Sequence, residues 1–156
     1  MRSAATFVLL AGLLLAACTS SEGAPKAAPR AELRKLGGAN IEIVPREGQF
    51  PYCLIYTVSA TGLVRLLTQT EELESVSCEA GKPVGDVRYH IPFLEGRARI
   101  IVIFSDRVVK AGPIAQRISE IAGDGRRMNA FDFRVPGQVA IDELDFMPDA
   151  APAVSR

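Results

Sequence analysis

Ile100-Ile101-Val102-Ile103-Phe104 is an uninterrupted run of five apolar residues, and it limits the possible folds more than any other stretch. Successive side chains of a strand point to opposite faces, so such a run needs cover on both sides. Its β-branched residues suit a strand, and Ser105-Asp106 closes it. The segment predicts a central strand with one layer packed above it and another below.

The neighbouring segments supply partners for that strand. Tyr52-Cys53-Leu54-Ile55-Tyr56-Thr57-Val58 is dense in aromatic and β-branched residues, and residues 59–62 form a turn ending in Gly62 before a second strand at 63–68. Ile41 and Ile43 alternate with Glu42 and Val44 in an earlier strand that ends at Pro45. Val84, Val87, Tyr89 and Ile91 predict a strand over residues 82–92, with a bulge at Gly85. Phe131-Asp132-Phe133-Arg134-Val135 alternates and predicts another, and residues 138–146 add a last one. One helix is expected, because Ile114, Ile118 and Ile121 repeat at helical spacing behind Pro113, placed as its first residue, and Gly123 ends it. Residues 31–36 suggest a helical turn or two before Gly37-Gly38. Together these segments predict a mainly β domain, an antiparallel β-sandwich or partly open barrel, with one short α-helix in the C-terminal half.

The first residues are of a different kind. Arg2 precedes an apolar stretch from Phe7 to Ala17, too short to cross a bilayer core of about 30 Å, which takes about 20 apolar residues. Leu15-Ala16-Ala17-Cys18 resembles a bacterial lipobox. The resemblance implies removal of residues 1–17 and a diacylglycerol on the Cys18 sulfur. Residues 18–39, rich in Ser, Ala and Pro at the start, then read as the lipidated cysteine and a flexible tether. Residues 40–147 read as a single β-rich domain and 148–156 as a disordered tail. Thr19 after Cys18, by likeness to Gram-negative lipoproteins, implies the outer membrane facing the periplasm.

Assigning Cys18 to lipid leaves Cys53 and Cys78 as an even pair in a compartment that permits disulfides, so a bond between them is expected. Buried free thiols are the alternative. Beyond residue 17 the chain carries 17 basic and 18 acidic side chains, a balance that gives no reason to expect nucleic acid.

From Leu54-Ile55-Tyr56 through Gly62, Val64 to Leu67, Ala80-Gly81, Ile91-Pro92, the run at 100–104 and the helix with Ile114 and Ile118, the order of features resembles a family of bacterial β-domains of unknown function. Those domains are often joined to, or encoded beside, kinase-like or caspase-like signalling modules of the envelope. The resemblance implies a β-domain and supplies no catalytic residue. The lipobox and composition are also similar to those of small lipoproteins of Gram-negative soil bacteria.

Catalytic chemistry has little to work with. His90 is the one histidine, and with Ser105 and Asp106 it supplies the residue types of a Ser-His-Asp triad. No G-x-S-x-G turn surrounds Ser105, so His90 is read as an outward-facing strand histidine. Asp142, Glu143, Asp145 and Asp149 lack the spacing of a calcium loop and read as a solvated acidic face. Glu71, Glu72, Glu74 and Glu79 in the loop 69–81 read likewise, with a partner surface as the alternative. No P-loop or dinucleotide motif is present, and no cofactor or metal is expected. The expected function is a non-catalytic, lipid-anchored envelope module that meets a membrane through Cys18 and an envelope protein or polysaccharide through its β-domain; a small envelope hydrolase is the alternative.

Overall fold

The computed structural model describes residues 28–149. The lipobox, Cys18, the tether up to residue 27 and the tail from residue 150 lie outside the described residues. The described residues are mainly β, with eight strands in two antiparallel sheets and a single α-helix among them. In chain order the strands are β1 (Ala31–Gly37), β2 (Asn40–Pro45), β3 (Tyr52–Val58), β4 (Val64–Leu66), β5 (Val76–Ser77), β6 (Tyr89–His90), β7 (Ala98–Ser105) and β8 (Val139–Phe146). The helix, α1, spans Ala111–Gly123. The small sheet runs β1-β2-β6, and the large one β4-β3-β7-β8 with β5 also on β3.

The apolar run lies at the centre of the large sheet, as its composition requires. β7 pairs with β3 on one side and β8 on the other, and Ile100 to Phe104 are fully buried. Its two faces enter two cores. Ile100, Val102 and Phe104 pack with Cys53 and Ile55 of β3 against Ile41, Ile43, Tyr89 and Ile91 on the small-sheet side. Ile101 and Ile103 pack with Leu54, Tyr56 and Val58 against Ile114, Ile118 and Ile121 of α1. The result is a sandwich-like stack of small sheet, large sheet and helix.

β1 corrects the expected helical turn at residues 31–36 and the expected tether up to residue 39. Ala31 to Leu36 has the composition of a helix, yet all of Ala31–Gly37 is a strand on β2, and it belongs to the fold rather than to a tether. Its outer side runs along β8. The Asp142 carboxylate accepts hydrogen bonds from the Arg30 and Ala31 amides at 2.7 and 2.9 Å, the Lys35 ammonium sits 5.3 Å from the centre of the Phe146 ring, and Asp149 exchanges backbone and side-chain bonds with Gly38. These contacts form a seam that joins the outer strand of the small sheet to the last strand of the large one. Asp142 is therefore a structural acceptor and not part of a solvated face. Asp142→Ala removes one exposed and one part-buried hydrogen bond and should lower the unfolding free energy by about 1 kcal/mol; an unchanged urea midpoint would remove the seam from the stability of the fold.

Two other expected strands are mostly turns. Residues 82–92 hold a 3₁₀ turn at Val84–Asp86, with Gly85 at φ 70°, and only Tyr89–His90 joins a sheet. Val87 stays exposed there. Residues 131–135 form no strand: Ala130–Asp132 is a 3₁₀ turn closed by a capping box, in which the Asn129 side chain accepts from the Phe131 amide and Asp132 from the Asn129 amide. Phe131 is 97 % exposed in consequence. The expected helix is present, but Pro113 is its third residue, still in the turn whose N–H groups have no intrahelical acceptor. The Ala111 amide instead donates to the Leu73 carbonyl.

Two buried tyrosine hydroxyls donate to backbone carbonyls, and the Tyr56 bond ties the large sheet to the helix. Tyr56 donates its hydroxyl to the Ala111 carbonyl at the start of α1, and Tyr89 donates to the Val84 carbonyl, both at 2.9 Å. Burial raises both phenol pKa values, that of Tyr89 to about 12. The unfolded phenol titrates near 10, so this stabilisation is complete below about pH 10 and is lost as pH rises toward the folded value. By pH 11 the Tyr89 share of the loss should be about 1 kcal/mol. Tyr89→Phe should flatten the decline in urea midpoint between pH 9 and 11; a decline of unchanged slope would contradict it.

Candidate functional site

α1 is thirteen residues long, about 20 Å, and lies over a strand of eight residues spanning about 26 Å. Where the C-terminal end of α1 meets the start of β7, Arg97 and Arg99 are partly exposed beside Ala122. A cleft of about 470 Å³ occupies that end, within the size range of small-ligand sites. Its floor is a row of cross-strand neighbours, Val58 of β3, Arg99 of β7 and Asp145 of β8. One wall is the turn after β3, including Ala60 and Gly62; the other is the end of α1 and the loop through Gly125 to Arg127. Gly62 at φ 83° lets that first turn close, with its amide donating to the Ser59 carbonyl.

Three arginines and two carboxylates line this cleft. Arg97 pairs with Asp145 at 3.2 Å. Glu143 accepts a hydrogen bond from the Met128 amide at 2.6 Å, which holds the loop after α1 against the sheet. Both carboxylates are thus engaged. Arg99 and Arg127 have no carboxylate partner among the described residues. Arg99 is half-buried in a strand whose next residues are wholly apolar, whereas Arg127 is exposed on the facing loop.

The residue types of a triad are not brought together. Ser105 has the strand parity of Ile101 and Ile103, on the helix face of the large sheet, whereas His90 belongs to the small sheet packed on the opposite face. His90 is exposed, with Nδ1 3.2 Å from Asn40 Oδ1. Ser105 is fully buried, and its hydroxyl has no hydrogen-bond partner among the described residues. Asp106 is a turn residue whose carboxylate accepts from the Gln138 amide at 2.9 Å. That turn requires Gly137, at φ 84°, since a Cβ there would run into Asp106 Oδ1.

The acidic candidates are also dispersed. Asp142 and Glu143 point to opposite faces of β8, one toward β1 and the other toward the loop after α1. Asp145 pairs with Arg97 and Asp149 with Gly38. In the loop 69–81, Glu71, Glu72 and Glu79 are exposed, and Glu74 pairs with Lys110 at 2.7 Å. Cys53 and Cys78 are joined by a disulfide, their Cα atoms 5.9 Å apart, which fastens this loop to β3. Cys18 lies outside the described residues.

Arg97, Arg99 and Arg127 belong to no local sequence motif. One signal was there: Arg99 is an ionisable residue just ahead of a run buried on both faces. No family model, curated protein or solved structure that was compared matches this chain.

Proposed function

We propose that this chain is a lipid-anchored module of the cell envelope, probing its surroundings through the cleft beside the start of β7 rather than performing catalysis. The observation that carries the binding reading is the pair of guanidinium groups, Arg99 and Arg127, left without carboxylate partners in a cleft of ligand size. They stand on a two-sided buried strand and on a loop tied to the sheet through Glu143, so the site is held by the rigid part of the fold. The anchor rests on Leu15-Ala16-Ala17-Cys18 at the end of a short apolar stretch. Two acyl chains on one sulfur give stable membrane attachment where one is marginal. The outer membrane facing the periplasm is the proposed location, from Thr19 after the cysteine.

A photo-crosslinking residue placed at Ala60, exposed on the cleft wall, tests the binding role in living cells. Irradiation should add mass to the peptide containing position 60 and not to one carrying the same residue at Glu47, on an exposed turn elsewhere. Equal labelling of both positions, or none at Ala60, would refute the cleft as the binding face.

A further inference from the structure

We infer that the cleft takes a small ligand bearing an oxyanion, a carboxylate or phosphate group, held between Arg99 and Arg127. This rests on the proposal that the cleft binds a ligand and adds the chemical class.

Charge accounting within the cleft points to an anion. Arg97 and Asp145 neutralise one another at 3.2 Å, and the Glu143 carboxylate is turned to the Met128 amide. Two positive charges remain, against one carboxylate already committed to a backbone donor. The C-terminal end of α1 faces the same space through Ala122 and Gly125, and it opposes an anion. That opposing charge is about half an elementary charge and fades within a turn, so with Glu143 also counted the two guanidinium groups still leave the cleft net positive. Arg99 gains most from such a ligand. It is half-buried with Val58 and Asp145 as its cross-strand neighbours and makes no ion pair among the described residues, and a guanidinium fork matches the paired oxygens of a carboxylate or phosphate.

The full chain in a non-ionic detergent, at fixed ionic strength, is titrated separately with inorganic phosphate, succinate and neutral N-acetylglucosamine while amide and arginine Nε signals are followed. Saturable shifts at residues 58–62, at Arg99 and at residues 122–127 are expected with phosphate, succinate or both; the tighter of the two tells which oxyanion the ligand carries. Arg99→Gln and Arg127→Gln should each weaken that binding about tenfold or more, as loss of a charge-assisted bond does. Arg46→Gln, at an exposed turn, should leave it unchanged, and the variants' own spectra report whether the fold is intact. No shift in the cleft with either anion, or equal binding by Arg99→Gln, would overturn the inference. N-acetylglucosamine shifting the cleft in place of the anions would overturn the anion class and leave the binding role standing. Anion binding in solution with no adduct at Ala60 in cells would leave the anion class standing and refute the binding role.

Discussion

Replacing Cys53 and Cys78 together by alanine should lower the unfolding free energy by about 3–4 kcal/mol, from the entropy of an unfolded chain no longer closed across 25 residues. That is a large share of the 5–15 kcal/mol typical of a domain. The bond joins a fully buried position of β3 to the end of the segment carrying β5, a strand of two residues. Without the bond, β5 is held by its short ladder, the Cys78 amide on the Pro51 carbonyl and the Ser75 contacts to Val109. Urea unfolding of the oxidised chain and the double alanine variant measures the difference. A loss below about 1 kcal/mol would mean that the bond adds little beyond contacts already made and that the chain-entropy estimate does not apply here.

Phe104→Ala should be as damaging, at about 3–5 kcal/mol. Phe104 is fully buried on the central strand and belongs to the core between the two sheets. Its ring is covered from both sheets, so truncation leaves a cavity that the hydrogen-bonded strands on either side of β7 cannot close without losing register. Cys53 is its cross-strand partner. The two substitutions therefore share a cavity, and the triple variant should lose a different amount from the sum of its parts. Urea midpoints of the single, double and triple variants measure this; a Phe104→Ala loss under 1 kcal/mol would contradict the two-sided core.

The parts of the fold legible in the sequence are those where burial dictates residue type directly. A strand covered on both faces must be apolar throughout, which is why residues 100–104 located the centre of the large sheet. The three isoleucines of α1 were legible because one helix face meets one core. The misread segments are those where distant contacts decide. Ala31-Glu32-Leu33-Arg34-Lys35-Leu36 favours a helix locally, but β2 on one side and β8 on the other make it a strand. Phe131 and Phe133 alternate as a strand would, yet the Asn129–Asp132 capping box is satisfied within four residues and turns the chain first. Asp132 is further held below its usual pKa, chiefly by the Arg126 guanidinium.

The cleft was the least legible feature. Its lining comes from four separated parts of the chain, around residues 58–62, 97–99, 122–127 and 143–145, and none carries a local motif. Charge neutrality of the whole chain also hid it, because Arg99 and Arg127 are unmatched only within their own surroundings. The cysteines were legible by counting, once one was set aside for lipid.

The proposed anchor is tested most directly by mass spectrometry of the membrane fraction from cells making the natural chain and Cys18→Ala. The natural chain should yield an amino-terminal peptide that begins at Cys18 and carries a diacylglycerol, and Cys18→Ala should keep residues 1–17 and carry no lipid. An unlipidated amino terminus in the natural chain would contradict the membrane-anchored role.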